Sequence, residues 1–199
     1  YWRGVVALVL ASIGIAAVLS LALPKVYSAQ ASGFVGYGGA NRSVGEASVQ
    51  DNLAKSRAAS YVDIARSRAT AEDVIRALGL TESPNTLVDN VTVQQPKDTV
   101  LVKITSRASS PEKAQRLADA WVAALARQVA AIEDPSNSGL TLRLVPIEQA
   151  ALPTAPTSPN TRLNLALGLA LGLLLGLGYA LLRNQLDRRI TTSDRFDVE

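Results

Sequence analysis

The sequence predicts an α+β domain, an antiparallel-type sheet with helices on one face, held outside a membrane by a transmembrane helix at each end. Three observations lead there. Two uncharged apolar runs sit near the two ends of the 199-residue chain. The residues between them switch between a two-residue and a 3.6-residue apolar period. A proline-rich segment joins that middle region to the second run.

Residues 4–24 carry no charge over 21 positions, and residues 163–182 none over 20. About 20 apolar residues in a helix cross the hydrocarbon of a bilayer. The second run holds 11 Leu, whose summed insertion preference outweighs the single Asn164. A cleavable signal peptide competes for the first run, with Ala29-Gln30-Ala31 as a cleavage-like site. A signal core is only about 7–15 residues long, so a span is the better reading. The chain opens on Tyr1 rather than Met, so a short preceding stretch is expected. Arg183, Arg188, Arg189 and Arg195 follow the second run, against Lys25 and Arg162 on the inner flanks of the two runs. The excess of basic residues marks the cytoplasmic side. Residues 1–3 and 183–199 are therefore expected in the cytoplasm, and the middle region on the other side of the membrane.

Residues 25–150 form the outer domain in this reading. Lys25–Tyr37 alternates Tyr27, Ala29, Ala31, Gly33 and Val35 against Ser28, Gln30 and Ser32, as a strand leaving the membrane does. Gly36–Asn41 is read as a flexible polar loop. A helix over about 46–68 carries Leu53, Ala54, Ala58, Tyr61, Ile64 and Ala65 on one stripe. A second helix opens near Thr70, where Thr70 and Asp73 stand at capping-box spacing, and stops at Gly79. Leu87–Gln94 and Thr99–Arg107 read as strands joined through Gln95-Pro96-Lys97-Asp98. Ser110 and Pro111 open a long helix that ends near Asp134-Pro135. Leu140–Gln149 is the last strand. Residues 151–162, with Pro153, Pro156 and Pro159, form an extended stalk.

Composition removes whole classes of chemistry. Cys and His both count zero, which excludes a thiol nucleophile, a Ser-His-Asp triad and a structural zinc site. A net charge of +3 is too small and too scattered for a nucleic-acid footprint. The adjacent carboxylates Glu72/Asp73 and Glu133/Asp134 do not converge on one substrate, because neighbours on a helix point apart. No catalytic, cofactor-binding or metal-binding residue is assigned. Gly168, Gly172 and Gly176, extended by Ala180, recur every four residues and line one face of a helix. A face without side chains lets a second helix come close in lipid. Its partner is either residues 4–24 of the same chain or a neighbouring subunit. Asp187, Arg188 and Arg189 lie just inside the membrane, as a docking point for a cytosolic partner or anionic lipid.

These residues resemble the chain-length determinant (Wzz-type polysaccharide co-polymerase) family over nearly the whole chain. Lys25-Val26-Tyr27-Ser28-Ala29 directly after a span carries part of the resemblance, and Ser109-Ser110-Pro111-Glu112-Lys113-Ala114 opening the long helix carries another. Pro153-Thr-Ala-Pro156-Thr-Ser158-Pro159-Asn160 before a Gly-rich span is its most specific element, with Leu186-Asp187-Arg188-Arg189-Ile190 after it. The resemblance implies a non-enzymatic scaffold that sets the length of a surface polysaccharide: a capsule, an exopolysaccharide or an O-antigen-like polymer. It implies a homo-oligomer beside a polymerase and export machinery, working with a cytosolic tyrosine kinase that is fused or separate. No kinase motif lies within these residues. A two-span sensor of an outside ligand is the competing function, and a membrane-anchored glycan-cleaving enzyme a distant third.

Overall fold

The computed structural model of the chain describes residues 2–37, 44–133 and 142–188. They separate into two compact units, Val26–Thr157 and a second made of Tyr1–Lys25 with Ser158–Glu199.

In the second unit α1 (Trp2–Ala22) and α6 (Thr161–Arg188) pack on one another. Both are long and apolar enough to cross a membrane. Thr161 to Arg188 is a single helix, so the backbone of Asp187 and Arg188 is helical, beyond the Thr161–Leu182 stretch that is apolar enough to cross a membrane. Arg189 lies outside the described residues.

The Val26–Thr157 unit is the expected α+β domain. Its elements in chain order are β1 (Tyr27–Tyr37), α2 (Val44–Ala65), α3 (Arg68–Leu78), α4 (Pro84–Asp89), β2 (Val91–Gln94), β3 (Leu101–Ala108), α5 (Pro111–Glu133) and β4 (Leu142–Glu148). The sheet order is β2-β3-β1-β4, and every neighbouring pair is antiparallel. Ala29, Ala31 and Val35 of β1 join Val102 and Ile104 of β3 beneath α5 and α2. Trp121 of α5 sits at the centre of this core, wholly buried, and its indole N–H donates to the Ala65 carbonyl at 2.9 Å. One bond thus ties the end of α2 to the middle of α5. Arg66 extends the tie by donating to the Val93 carbonyl of β2 at 2.8 Å.

Four local expectations change. Leu87–Gln94 is not one strand: Pro84–Asp89 is a helix and only Val91–Gln94 is extended. The cause is legible at Ser83-Pro84, where the Ser83 hydroxyl accepts from the Thr86 N–H and proline takes the first turn. The second helix is capped by Ser67, whose hydroxyl accepts from the Thr70 N–H. Thr70 itself is buried and donates to the Ile64 carbonyl at 2.8 Å. Gly79 stops that helix at φ 64°, a left-handed conformation that glycine adopts without strain. Leu53 lies outside the stripe, 43% exposed, while Ala54, Ala58, Tyr61 and Ala65 face the core. Residues 151–157 of the expected stalk fall within the Val26–Thr157 unit, directly after Ala150, the last residue of the expected outer domain. Ala150 is buried, its N–H held by the Asp119 carboxylate at 2.7 Å and its carbonyl by the Gln115 amide at 2.8 Å. Most of the Gly36–Asn41 loop, and the junction at Asp134-Pro135, fall outside the described residues.

Candidate functional site

The glycine positions of α6 sit against α1. A methyl group placed on Gly168 would lie 2.7 Å from the Ala16 Cβ, and one on Gly176 2.7 Å from the Val5 Cγ1. At Gly172 it would lie 2.9 Å from the Val9 Cα and closer still to the Ser12 hydroxyl. Val5, Val9, Ser12 and Ala16 follow one face of α1, and they meet the glycines in reverse order, as an antiparallel helix pair requires. The approach is one of backbone to backbone, which only glycine allows at Gly172. Ala180, half-buried, continues the row. At the other end of the pair, Gly4 lies against the ring of Tyr179. Gly14 and Gly178 meet nothing within 4 Å.

Polar groups in these helices are satisfied locally. Ser12 donates to the Val9 carbonyl at 2.9 Å. Ser20 donates to the Thr161 hydroxyl at 3.2 Å and receives the Asn164 amide at 3.4 Å. Asn160 caps α6 by accepting from the Leu163 N–H at 3.2 Å. An apolar crevice of about 360 Å³ runs beside the pair, walled by Leu19, Leu23, Leu167 and Leu171 over Ala16 and Gly168.

The proline segment divides between the two units. Pro153 and Pro159 are half-buried and Pro156 exposed. The Thr157 N–H donates to the Val26 carbonyl at 2.8 Å, so the chain enters and leaves the globular unit at one place.

The carboxylates of the outer domain are engaged separately. Glu72 pairs with Arg68 at 2.7 Å. Asp73 accepts from Arg76 and from the Gln128 amide, the latter at 2.5 Å. Glu133 pairs with Arg57 at 3.2 Å. Asp134 lies outside the described residues. Burial, and then the neighbouring Glu133 carboxylate, push the Tyr61 phenol well above the usual tyrosine range. The Gln128 hydrogen bond, aided by Arg76, holds the Asp73 carboxyl below its ordinary value. A lowered carboxyl stabilises the folded state above its unfolded value and loses that contribution as the pH falls through its folded one. Asp73→Asn is therefore expected to lower the melting temperature at neutral pH. The gap from the parent should close on acidification below the normal carboxylate range, as a melting series across pH would read.

The open face of the sheet was not read from the sequence as a site. Lys103, Ser32 and Glu148 form one rung across β3, β1 and β4, and Leu101, Phe34 and Val145 form another. Ser32 donates to the Glu148 carboxylate at 2.9 Å. Phe34 is 42% exposed, Val145 50% and Ile147 57%. The signal was an aromatic on the polar side of an alternating strand.

No protein-family model matches the chain. It is 28% identical over 137 residues to the probable capsular polysaccharide biosynthesis protein YwqC of Bacillus subtilis, covering 69% of this chain and 54% of that protein. It is 27% identical over 139 residues to the capsular polysaccharide biosynthesis protein CpsC of Streptococcus agalactiae, covering 70% and 57% respectively. The chain thus spans little more than half the length of these relatives. Among solved structures, a full-length bacterial polysaccharide co-polymerase shares the fold, with a TM-score of 0.53, 13% identity and 97% of each chain covered. Relatives and fold both agree with the resemblance drawn from the sequence.

Proposed function

We propose, from the chain's resemblance to the chain-length determinant family in motifs, relatives and fold, that it is a non-catalytic membrane scaffold for surface polysaccharide assembly. It governs polymerisation, chain length and export of a capsule, exopolysaccharide or O-antigen-like polymer. It works as a homo-oligomer beside the polymerase and export machinery, coupled to a cytosolic tyrosine kinase domain or partner. The observation that carries this reading is agreement in fold along nearly the entire chain, spans included, with a polysaccharide co-polymerase.

The geometry supports a mechanical role. β1 begins five residues after α1 ends, and the Val26–Thr157 bond gathers both connections at one end of the sheet. A pull on either span therefore reaches the sheet through a short path. The close α1–α6 contact makes the two spans one rigid element. Arginines after the second span favour a cytoplasmic tail. There, the Asp187-Arg188-Arg189 stretch would meet the kinase or anionic lipid.

Deleting the gene and complementing it tests the reading. The length distribution of the surface polymer on a gel is expected to shift on deletion and return on complementation. An unchanged distribution and amount would sink it.

A further inference from the structure

The open face of the sheet is self-complementary. Its two central rungs read Lys103–Ser32–Glu148 and Leu101–Phe34–Val145 across β3, β1 and β4. β1 is the middle strand of the three. A half-turn about an axis along β1 therefore exchanges the basic position with the acidic one and one aliphatic position with the other. Ser32 and Phe34 lie on the axis and return to themselves. We propose that this face is an interface between two copies of the chain. The sheets pack face to face, with Lys103 of each copy over Glu148 of the other and Leu101 over Val145, around a central pair of Phe34 rings. The inference rests on the homo-oligomeric reading above and adds the surface to it.

Three further features favour a second copy of this chain in that orientation. A half-turn along β1 leaves the strands of the two copies parallel, within the roughly 30° offset of aligned sheet packing. The chain enters and leaves the domain together at the Val26–Thr157 bond. Parallel strands thus put both copies' connections on one side, as two chains anchored in one bilayer require. Secondly, the sheet is poorly suited to growth at its edges. β4 carries Pro146 opposite a register shift at Ser32/Gly33, and β2 is only four residues long. Such devices discourage strand addition and leave the face as the available surface. Thirdly, on this face Phe34, Val145 and Ile147 are exposed apolar groups beside half-buried Leu101, while Ser32 is buried beneath its neighbours. A contact of that size is weak for free domains, and tethering in a membrane raises the effective concentration at which it forms.

The chain has no cysteine, so Phe34→Cys supplies a single thiol. In membranes carrying the full chain, a short homobifunctional maleimide is expected to join Phe34→Cys into a dimer. Lys103→Glu and Glu148→Lys each set like charges face to face twice and should cut the dimer yield by roughly ten-fold. The double reversal should restore it. Because the cysteine removes the ring on the axis, the reversals are read a second time with Phe34 intact, as the mass of the complex in mild detergent. A thiol that gives no dimer, or a double reversal as weak as the singles, would overturn the interface. Protection of the thiol by added capsular polymer without a dimer would assign the face to the polymer and overturn it equally. Either result, beside a polymer-length shift on gene deletion, would leave the scaffold reading intact.

Discussion

Gly172→Leu is expected to force the two spans apart, while Gly178→Leu on the same helix leaves them in place. The first Cβ would stand 2.9 Å from the Val9 Cα, a backbone atom that cannot swing aside. The second would meet nothing within 4 Å. Between membrane helices no hydrophobic gain from leaving water holds the pair together, so close packing carries the association. Inserting a four-carbon side chain into such a contact costs about 1–3 kcal/mol in well-packed interiors, and more where backbone must move. Apolarity favours leucine in a span, so a general insertion defect would not explain a loss at one position alone. The Ser20 and Thr161 hydroxyls, 3.2 Å apart, provide the reporter. In a chain without native cysteine, Ser20→Cys with Thr161→Cys should oxidise to an intrachain disulfide. Adding Gly172→Leu should make that bond slow and incomplete, and Gly178→Leu should not. Equal oxidation in both variants would mean that the glycine row is incidental to the pairing.

That row shows how far sequence reasoning reaches in this molecule. A period of four along a helix needs no tertiary information, so the smooth face was legible. Which helix fills it was not, because residues 4–24 and a neighbouring subunit satisfy the same pattern. The choice depends on Ser12 and Ala16 of α1 being small enough to meet glycine, which is a property of two segments at once. The outer domain divides in the same way. The alternation of β1 and β3 and the cap at Ser110 are local, and they fall where expected. The strand expected at Leu87 gives way to a helix because Ser83-Pro84 is a helix-opening signal that acts over three residues. The spacing of Thr70 to Asp73 fits a capping box. Ser67 is the cap, and the Asp73 carboxylate turns instead to Arg76 and Gln128. The self-complementary rungs on the open face were beyond reach. They need the register of three strands, and no single strand carries the pattern.

Trp121→Ala should cost the outer domain most of its stability. The indole is wholly buried between α5, α2 and the sheet, and truncating a buried tryptophan costs about 3–5 kcal/mol through lost transfer energy and the cavity left behind. Its N–H is also the partner of the Ala65 carbonyl at the C-terminal end of α2. A helix's last carbonyls have no partner within the helix, so the loss leaves a buried acceptor unsatisfied, at about 1–3 kcal/mol. Set against a total of about 5–15 kcal/mol for an ordinary domain, the sum is large. Trp121→Phe separates the two contributions. It keeps most of the ring and removes the donor, so its smaller loss should report the carbonyl with only a small cavity contribution, and Trp121→Ala both in full. The expected order of melting temperature for the full chain in detergent is parent, Trp121→Phe, Trp121→Ala. Proteolysis should open first near Ala65–Arg66, where the indole and the Arg66 bond to Val93 together close α2 onto the sheet. Equal melting of all three would show that α2 is held by other contacts, and the tie between helix and sheet described above would have to be abandoned.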